Sequence, residues 1–216
     1  LRHLMLSPGL LTKAYLDGKR LQFVGPVKLY LVITAVFLFF GATNMLKIES
    51  MAAINERPGM PKSGTTLTEI VQKLAERRSI SVHQLQEEIN LDFQRNVKLL
   101  SVILVFVTAL VIQFVFRKAN MLYVEHLIYT THWYAFSFVL SIFTGPIVLR
   151  LENPFIMMAI SPFFLLYYFV GSFRRVFGTS GWRLWTKALI VLLYNFVSST
   201  LMMAAALLFA IIANQN

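Results

Sequence analysis

The sequence predicts an all-α fold: a polytopic transmembrane bundle of five helices with an N-terminal interfacial helix and an extracytoplasmic helical hairpin. Three observations predict it. Of the 216 residues, 57% are apolar or aromatic and only 14% are charged, with mean hydropathy +0.65, whereas globular domains average roughly 45–50% apolar and about 25% charged. The apolar residues gather in five runs, each near the length of about 20 residues that a helix needs to cross a bilayer. The lysines and arginines are dense in alternate loops and sparse in the others, which is how orientation is set in a membrane.

Residues 1–26 read as a cytoplasmic interfacial segment. Ser7 followed by Pro8 predicts an N-cap with proline at the first helical position, and Leu10, Leu11, Ala14 and Tyr15 make an apolar stripe beside Lys13 and Asp17. Gly18 supplies the stop. The stripe rests in lipid or against the bundle. The chain begins at Leu1 rather than Met, so the natural protein is expected to extend upstream.

The first span covers 27–46 and is uncharged after Lys28. A hydrophilic segment, 47–98, follows, in which the stretch from Arg57 to Gly64 reads as an irregular connection. Thr66 with Glu69 and Ser81 with Gln84 fit capping boxes, and the apolar residues behind each recur at helical spacing. These two stretches form the extracytoplasmic hairpin. No breaker separates Val82 from Phe116, so the second span, 99–116, continues a helix of about 50 Å that projects beyond the membrane. Span three, 127–149, opens with an aromatic entry and ends near Gly145-Pro146, where a bend is expected. Span four, 155–171, contains Pro162, and span five, 188–213, is long enough to tilt.

Orientation follows from the loops. Arg2, Lys13, Lys19, Arg20 and Lys28 precede or open span one, Arg117 and Lys118 follow span two, and Arg174, Arg175, Arg183 and Lys187 follow span four without an acid. On the other side, the long loop is nearly neutral, with eight basic and seven acidic residues, and Arg150 stands alone after span three. The N-terminus is therefore cytoplasmic and the C-terminus extracytoplasmic. That arrangement needs an odd number of spans. The net charge of +10 belongs to this asymmetry and to anionic lipid, not to nucleic acid. With no cysteine, the residues hold no disulfide and no thiolate metal site.

Ionisable groups inside spans are costly and usually functional. Spans one, two, four and five have none in their central parts, which argues against a monomeric proton-coupled transporter. Span three differs. Glu125, Tyr129 and His132 fall at i, i+4 and i+7 on one helix face, with His126 turned by about 100° from Glu125. A carboxylate and an imidazole on one face suit a polar cluster, an ion pair with the cytoplasmic arginines, or two ligands of a metal. A closed metal site needs three or four ligands, however, and neither HxxxH nor HExxH is present, so no metal and no cofactor is assigned. Phosphate-binding glycine loops and nucleophile elbows are absent as well, and no catalytic residue is named. Lys19, Arg20, Arg174, Arg175 and Lys187 are the lipid- or phosphate-binding candidates.

The stretch LSPGLLTKAYLDGKRLQFVGPVKLYL, Leu6 to Leu31, resembles the opening signature of an uncharacterised, domain-of-unknown-function family of bacterial inner-membrane proteins: PG, then YxxGxR, then P before the first span. Pro8-Gly9, Tyr15, Gly18, Arg20 and Pro26 are the matching positions. EHLIYTTHWYAF, from Glu125, and RRVFG, from Arg174, are similar to later parts of that family's pattern. The resemblance implies a multi-pass bacterial inner (plasma) membrane protein without an assigned reaction. Members often carry an upstream zinc ribbon with paired cysteines, and this chain has no cysteine.

The leading functional expectation is a non-enzymatic protein that binds anionic membrane lipids through its cytoplasmic basic face, together with a protein partner or a second copy, as an assembly or scaffold component. One alternative is an oligomeric small-solute transporter or channel lined by Asn44, Gln113, Asn195 and the His132 face. Another is a membrane-embedded enzyme or metal site using Glu125, His126 and His132.

Overall fold

A computed structural model describes residues 2–41, 64–150 and 155–215. Every regular element among them is helical. In chain order these are α1 (Arg2–Leu6), α2 (Leu10–Leu16), α3 (Pro26–Gly41), α4 (Gly64–Arg78), α5 (Val82–Val115), α6 (Tyr123–Arg150), α7 (Phe155–Phe177) and α8 (Trp182–Ala213), with 3₁₀ turns at Arg20–Gln22 and Arg117–Ala119. Asn44 and the connection from Arg57 to Ser63 lie outside the described residues.

The chain divides into two compact units, Leu1–Leu38 with Ile103–Ser198, and Phe39–Val102 with Ser199–Asn216. The core of the first is aromatic. Trp133 and Phe136 of α6 meet Phe169 and Tyr168 of α7 at ring distances of 4.7 and 4.2 Å, and Phe116 stacks on Phe177 at 4.0 Å. Ring pairs of this kind add to the area they bury. In the second unit, Val71, Leu74 and Ala75 of α4 share a buried cluster with Leu85, Ile89, Phe93 and Val97 of α5 and Ala206 and Ala210 of α8. Arg78 bonds Glu88 at 2.7 Å, and Asn214 bonds Asp92 at 2.9 Å.

The outward sides of the long helices are apolar too. Ile103, Phe106, Leu110 and Phe114 recur along exposed α5, as do Leu189 and Leu193 and then Leu201, Leu208 and Ile212 along α8. Water would penalise such surfaces; hydrocarbon does not. Three stretches, Arg20–Phe37, Val82–Val115 and Trp182–Ala213, are long and apolar enough to cross a membrane. These are the marks of a membrane protein. In α6 the run is diluted by His126, His132 and several threonines and tyrosines.

Local starts and stops differ in places from the sequence reading. The helix after Ser7 begins at Leu10, because Gly9 takes a left-handed φ of 75° and the Leu10 N–H turns back to Ser7 O at 3.0 Å; Gly9, not Ser7, is the N-cap. Thr66 lies inside α4, which starts at Gly64. At the head of α5 the Gln84 N–H donates to Ser81 Oγ at 3.2 Å, as a capping serine should. Pro146 and Pro162 both fall within helices that continue past them.

Candidate functional site

The four polar residues at the head of α6 are placed by four different neighbours. Glu125 accepts the Leu122 N–H at 2.8 Å, the return half of a capping box, which satisfies one of the orphan donors at a helix start. No ion pair joins it to an arginine among the described residues, so the cap explains this carboxylate. One turn on, buried Tyr129 bonds Ser172 of α7 at 2.9 Å. Because the Ser172 hydroxyl donates to Phe169 O at 3.2 Å, its single proton is used and the Tyr129 O–H is the donor between them. His132 is buried, with Nδ1 3.0 Å from Thr12 Oγ1. His126 packs edge-on against Phe177 at 5.6 Å, and its Nδ1 is buried without a hydrogen-bond partner. Glu125, Tyr129 and His132 share a face, yet the tyrosine and histidine are spent on holding α7 and α2. Among the described residues no group of three or more His, Asp or Glu side chains is placed to hold a metal ion.

The residues of the PG and YxxGxR pattern form a docking element. Gly9 approaches α7 so closely that a Cβ there would lie 2.8 Å from Ser172 Cα. Pro8 rests over Gly171, where a Cβ would come within 3.2 Å of it, and Arg175 donates to the Pro8 carbonyl at 2.7 Å. Thr12 then reaches His132, and Leu4, Thr12 and Ala14 are buried. At the far end of α2 the Lys19 N–H returns to Ala14 O at 3.0 Å and the Gly18 N–H to Tyr15 O at 3.2 Å, with Gly18 at φ 88°. This is a Schellman stop, for which glycine is the natural residue. The turn brings the Arg20 guanidinium 5.5 Å over the Tyr15 ring. Gly25 O accepts the Leu29 N–H at 2.9 Å, so Pro26 stands at the first position of α3. An apolar groove of about 670 Å³ opens beside α1, lined by Met5, Leu6, Phe136, Leu140, Phe163 and Tyr167 among others.

The five basic candidates have different surroundings. Lys19, Arg20 and Arg174 are exposed, Arg175 holds Pro8, and the Lys187 ammonium sits 4.2 Å over the Phe116 ring. Arg183 lies on α8 with Lys187, and Lys118 lies two residues beyond Phe116 in the adjoining 3₁₀ turn. In the sequence both stand as orientation signals; Arg183 precedes Lys187 by one helical turn, and nothing in the spacing relates Lys118 to them. Gln113 and Asn195 are each half-buried on their helices.

Helices, lipid-suited surfaces and a docked N-terminal element define the class, an all-α membrane protein. Residues 1–38 match the family model described as Protein of unknown function (DUF3667). The matched stretch contains the whole docking element, Pro8-Gly9, Tyr15, Gly18, Arg20 and Pro26, and supports an uncharacterised family. No curated protein and no solved structure matches the chain.

Proposed function

We propose that the chain is a five-span bacterial inner-membrane protein, N-terminus cytoplasmic and C-terminus extracytoplasmic, that binds anionic lipid headgroups through its cytoplasmic basic rim and serves as an assembly or scaffold component. In this reading α3, α5, α6, α7 and α8 are the spans, and α4 with the first part of α5 is an extracytoplasmic hairpin offered to a partner. The observation that carries the proposal is the absence of counterions. Among the described residues the ion pairs are Lys13–Asp17, Arg78–Glu88 and His83–Glu87, and none involves Lys19, Arg20, Arg174 or Lys187. Cations at a membrane surface attract anionic lipid by about 1 kcal/mol each. The apolar groove beside α1 would accept part of an acyl chain at the same rim.

The test is retention of phosphatidylglycerol by the full chain in mild detergent. Replacing Lys19, Arg20 and Arg174 together with glutamine should lower retention by about tenfold or more at low salt, with a smaller difference at high salt. Unchanged retention with an unchanged melting temperature would remove the lipid-binding part of the proposal. Arg175 is left in place, since its bond to Pro8 makes loss of binding on its removal ambiguous.

A further inference from the structure

The connection after α5 and the first turn of α8 bring three cations together with no acid between them. Phe116 closes α5 and is the residue before the 3₁₀ turn Arg117–Ala119. Because Lys187 lies 4.2 Å over its ring, the turn that carries Lys118, two residues beyond Phe116, is held against the start of α8. Arg183 precedes Lys187 by one helical turn, on the same face of α8. Glu125, the acid nearest in sequence to Lys118, is committed to the Leu122 N–H at 2.8 Å, and no carboxylate is paired with any of the three among the described residues. Like charges so placed repel one another. The cost is relieved by an anion.

The surroundings narrow its nature. Trp182 and Trp185 are exposed beside the cations, and tryptophan collects at the headgroup level of a bilayer. The N-terminal end of α8 adds its own positive potential. A phosphodiester brings one negative charge; a phosphomonoester brings about −1.5 to −2 at pH 7 and three acceptor oxygens. A cluster of three cations matches the second better.

We infer that Lys118, Arg183 and Lys187 form a binding site for a phosphomonoester, carried either by a membrane lipid or by a soluble phosphate. This rests on the lipid-binding reading above and sharpens it: these residues select a headgroup, whereas Lys19, Arg20 and Arg174 supply general attraction.

The experiment is competition between phosphatidic acid, a monoester, and phosphatidylglycerol, a diester, for the full chain in mild detergent, read by native mass spectrometry. The wild type should prefer the monoester by about tenfold. The combined Lys118→Gln, Arg183→Gln, Lys187→Gln variant should lose that preference and keep its phosphatidylglycerol retention to within about threefold, since the general cations remain. Lys187→Arg, which keeps the charge over Phe116, should keep the preference, so that a packing defect is told apart from a lost charge. Displacement of the monoester lipid from the wild type by millimolar inorganic phosphate would identify a soluble phosphate as the occupant; resistance to it would identify the lipid. A wild type without preference, or a preference that survives the triple substitution, would overturn the inference. The Lys19, Arg20, Arg174 substitution tests the broader lipid reading separately.

Discussion

Thr12 and His132, separated by 120 positions in the chain, meet through a buried hydrogen bond of 3.0 Å. The contact couples the segment that matches the family model to the polar first half of α6, which carries Glu125, His126, Tyr129 and His132. It also gives the buried His132 a hydrogen-bond partner. Pro8 and Gly9 fix the distance between the backbones of α2 and α7, and Thr12 fixes the rotation of α2 against α6.

Removing the hydroxyl should therefore weaken this docking. Thr12→Val keeps the shape and strands His132 Nδ1, at a cost of about 1–3 kcal/mol. A lower melting temperature in detergent is expected, with Thr12→Ser close to the wild type. Equal stability of the valine and serine variants would show that the bond contributes nothing.

Gly9→Ala should be more damaging than Gly171→Ala. At Gly9 the new Cβ meets the Ser172 Cα at 2.8 Å with φ at 75°, whereas at Gly171, without a left-handed φ, it meets Pro8 Cβ at the milder distance of 3.2 Å. A left-handed conformation costs a non-glycine residue roughly 1–2 kcal/mol before any clash. Limited proteolysis should therefore cut near Asp17 faster in the Gly9 variant than in the Gly171 variant. The reverse order would contradict the close approach.

These contacts explain what could and could not be read from the residues alone. Helices and their apolar runs are legible because the solvent imposes them: in hydrocarbon the backbone must be satisfied internally, as along the apolar second half of α5, and Ser81 marks where that helix starts. Likewise Gly18 marks a stop through local geometry. Contacts between distant segments leave no such trace. Nothing in the spacing of Gly171 and Ser172 identifies them as the floor under Pro8-Gly9, 163 or so positions earlier, within the range of long-range contacts that only folding reveals. Glu125 and Lys187 illustrate the same limit. The carboxylate sits where either a cap or an ion pair would suit it, and the lysine gains its neighbour Lys118 only once Phe116 is brought beneath it.

In the second unit, Asn214 is a hub. Its amide donates to Asp92 and to Ala210 O, both at 2.9 Å, and accepts from Arg78 at 3.3 Å. Asn214 is buried, but Arg78 and Asp92 are partly exposed and can rehydrate, so Asn214→Ala should destabilise this unit by about 1–2 kcal/mol. Hydrogen exchange over Leu85 to Val97 should quicken while exchange over Tyr129 to Val139 stays near the wild-type rate. Uniform acceleration across both stretches would indicate that Asn214 acts on the whole chain.

The absence of cysteine among these 216 residues makes the proposed orientation directly measurable, since each introduced thiol is the sole target within them for a membrane-impermeant reagent. Lys19→Cys, Lys118→Cys and Thr179→Cys should all be protected in intact cells and become reactive once the membrane is opened. His83→Cys, at the exposed start of α5, should react from outside. Lys19, Lys118 and Thr179 lie in the segments where unbalanced lysine and arginine gather, and moving such charges across the bilayer is what the positive-inside rule opposes. The pattern also tests the number of spans, because protection at both 118 and 179 requires that α6 and α7 together cross the membrane an even number of times. Labelling of position 179 from outside, with 118 protected, would reduce the crossings between them to an odd number and separate Lys118 from Lys187, removing the orientation and the phosphomonoester site together.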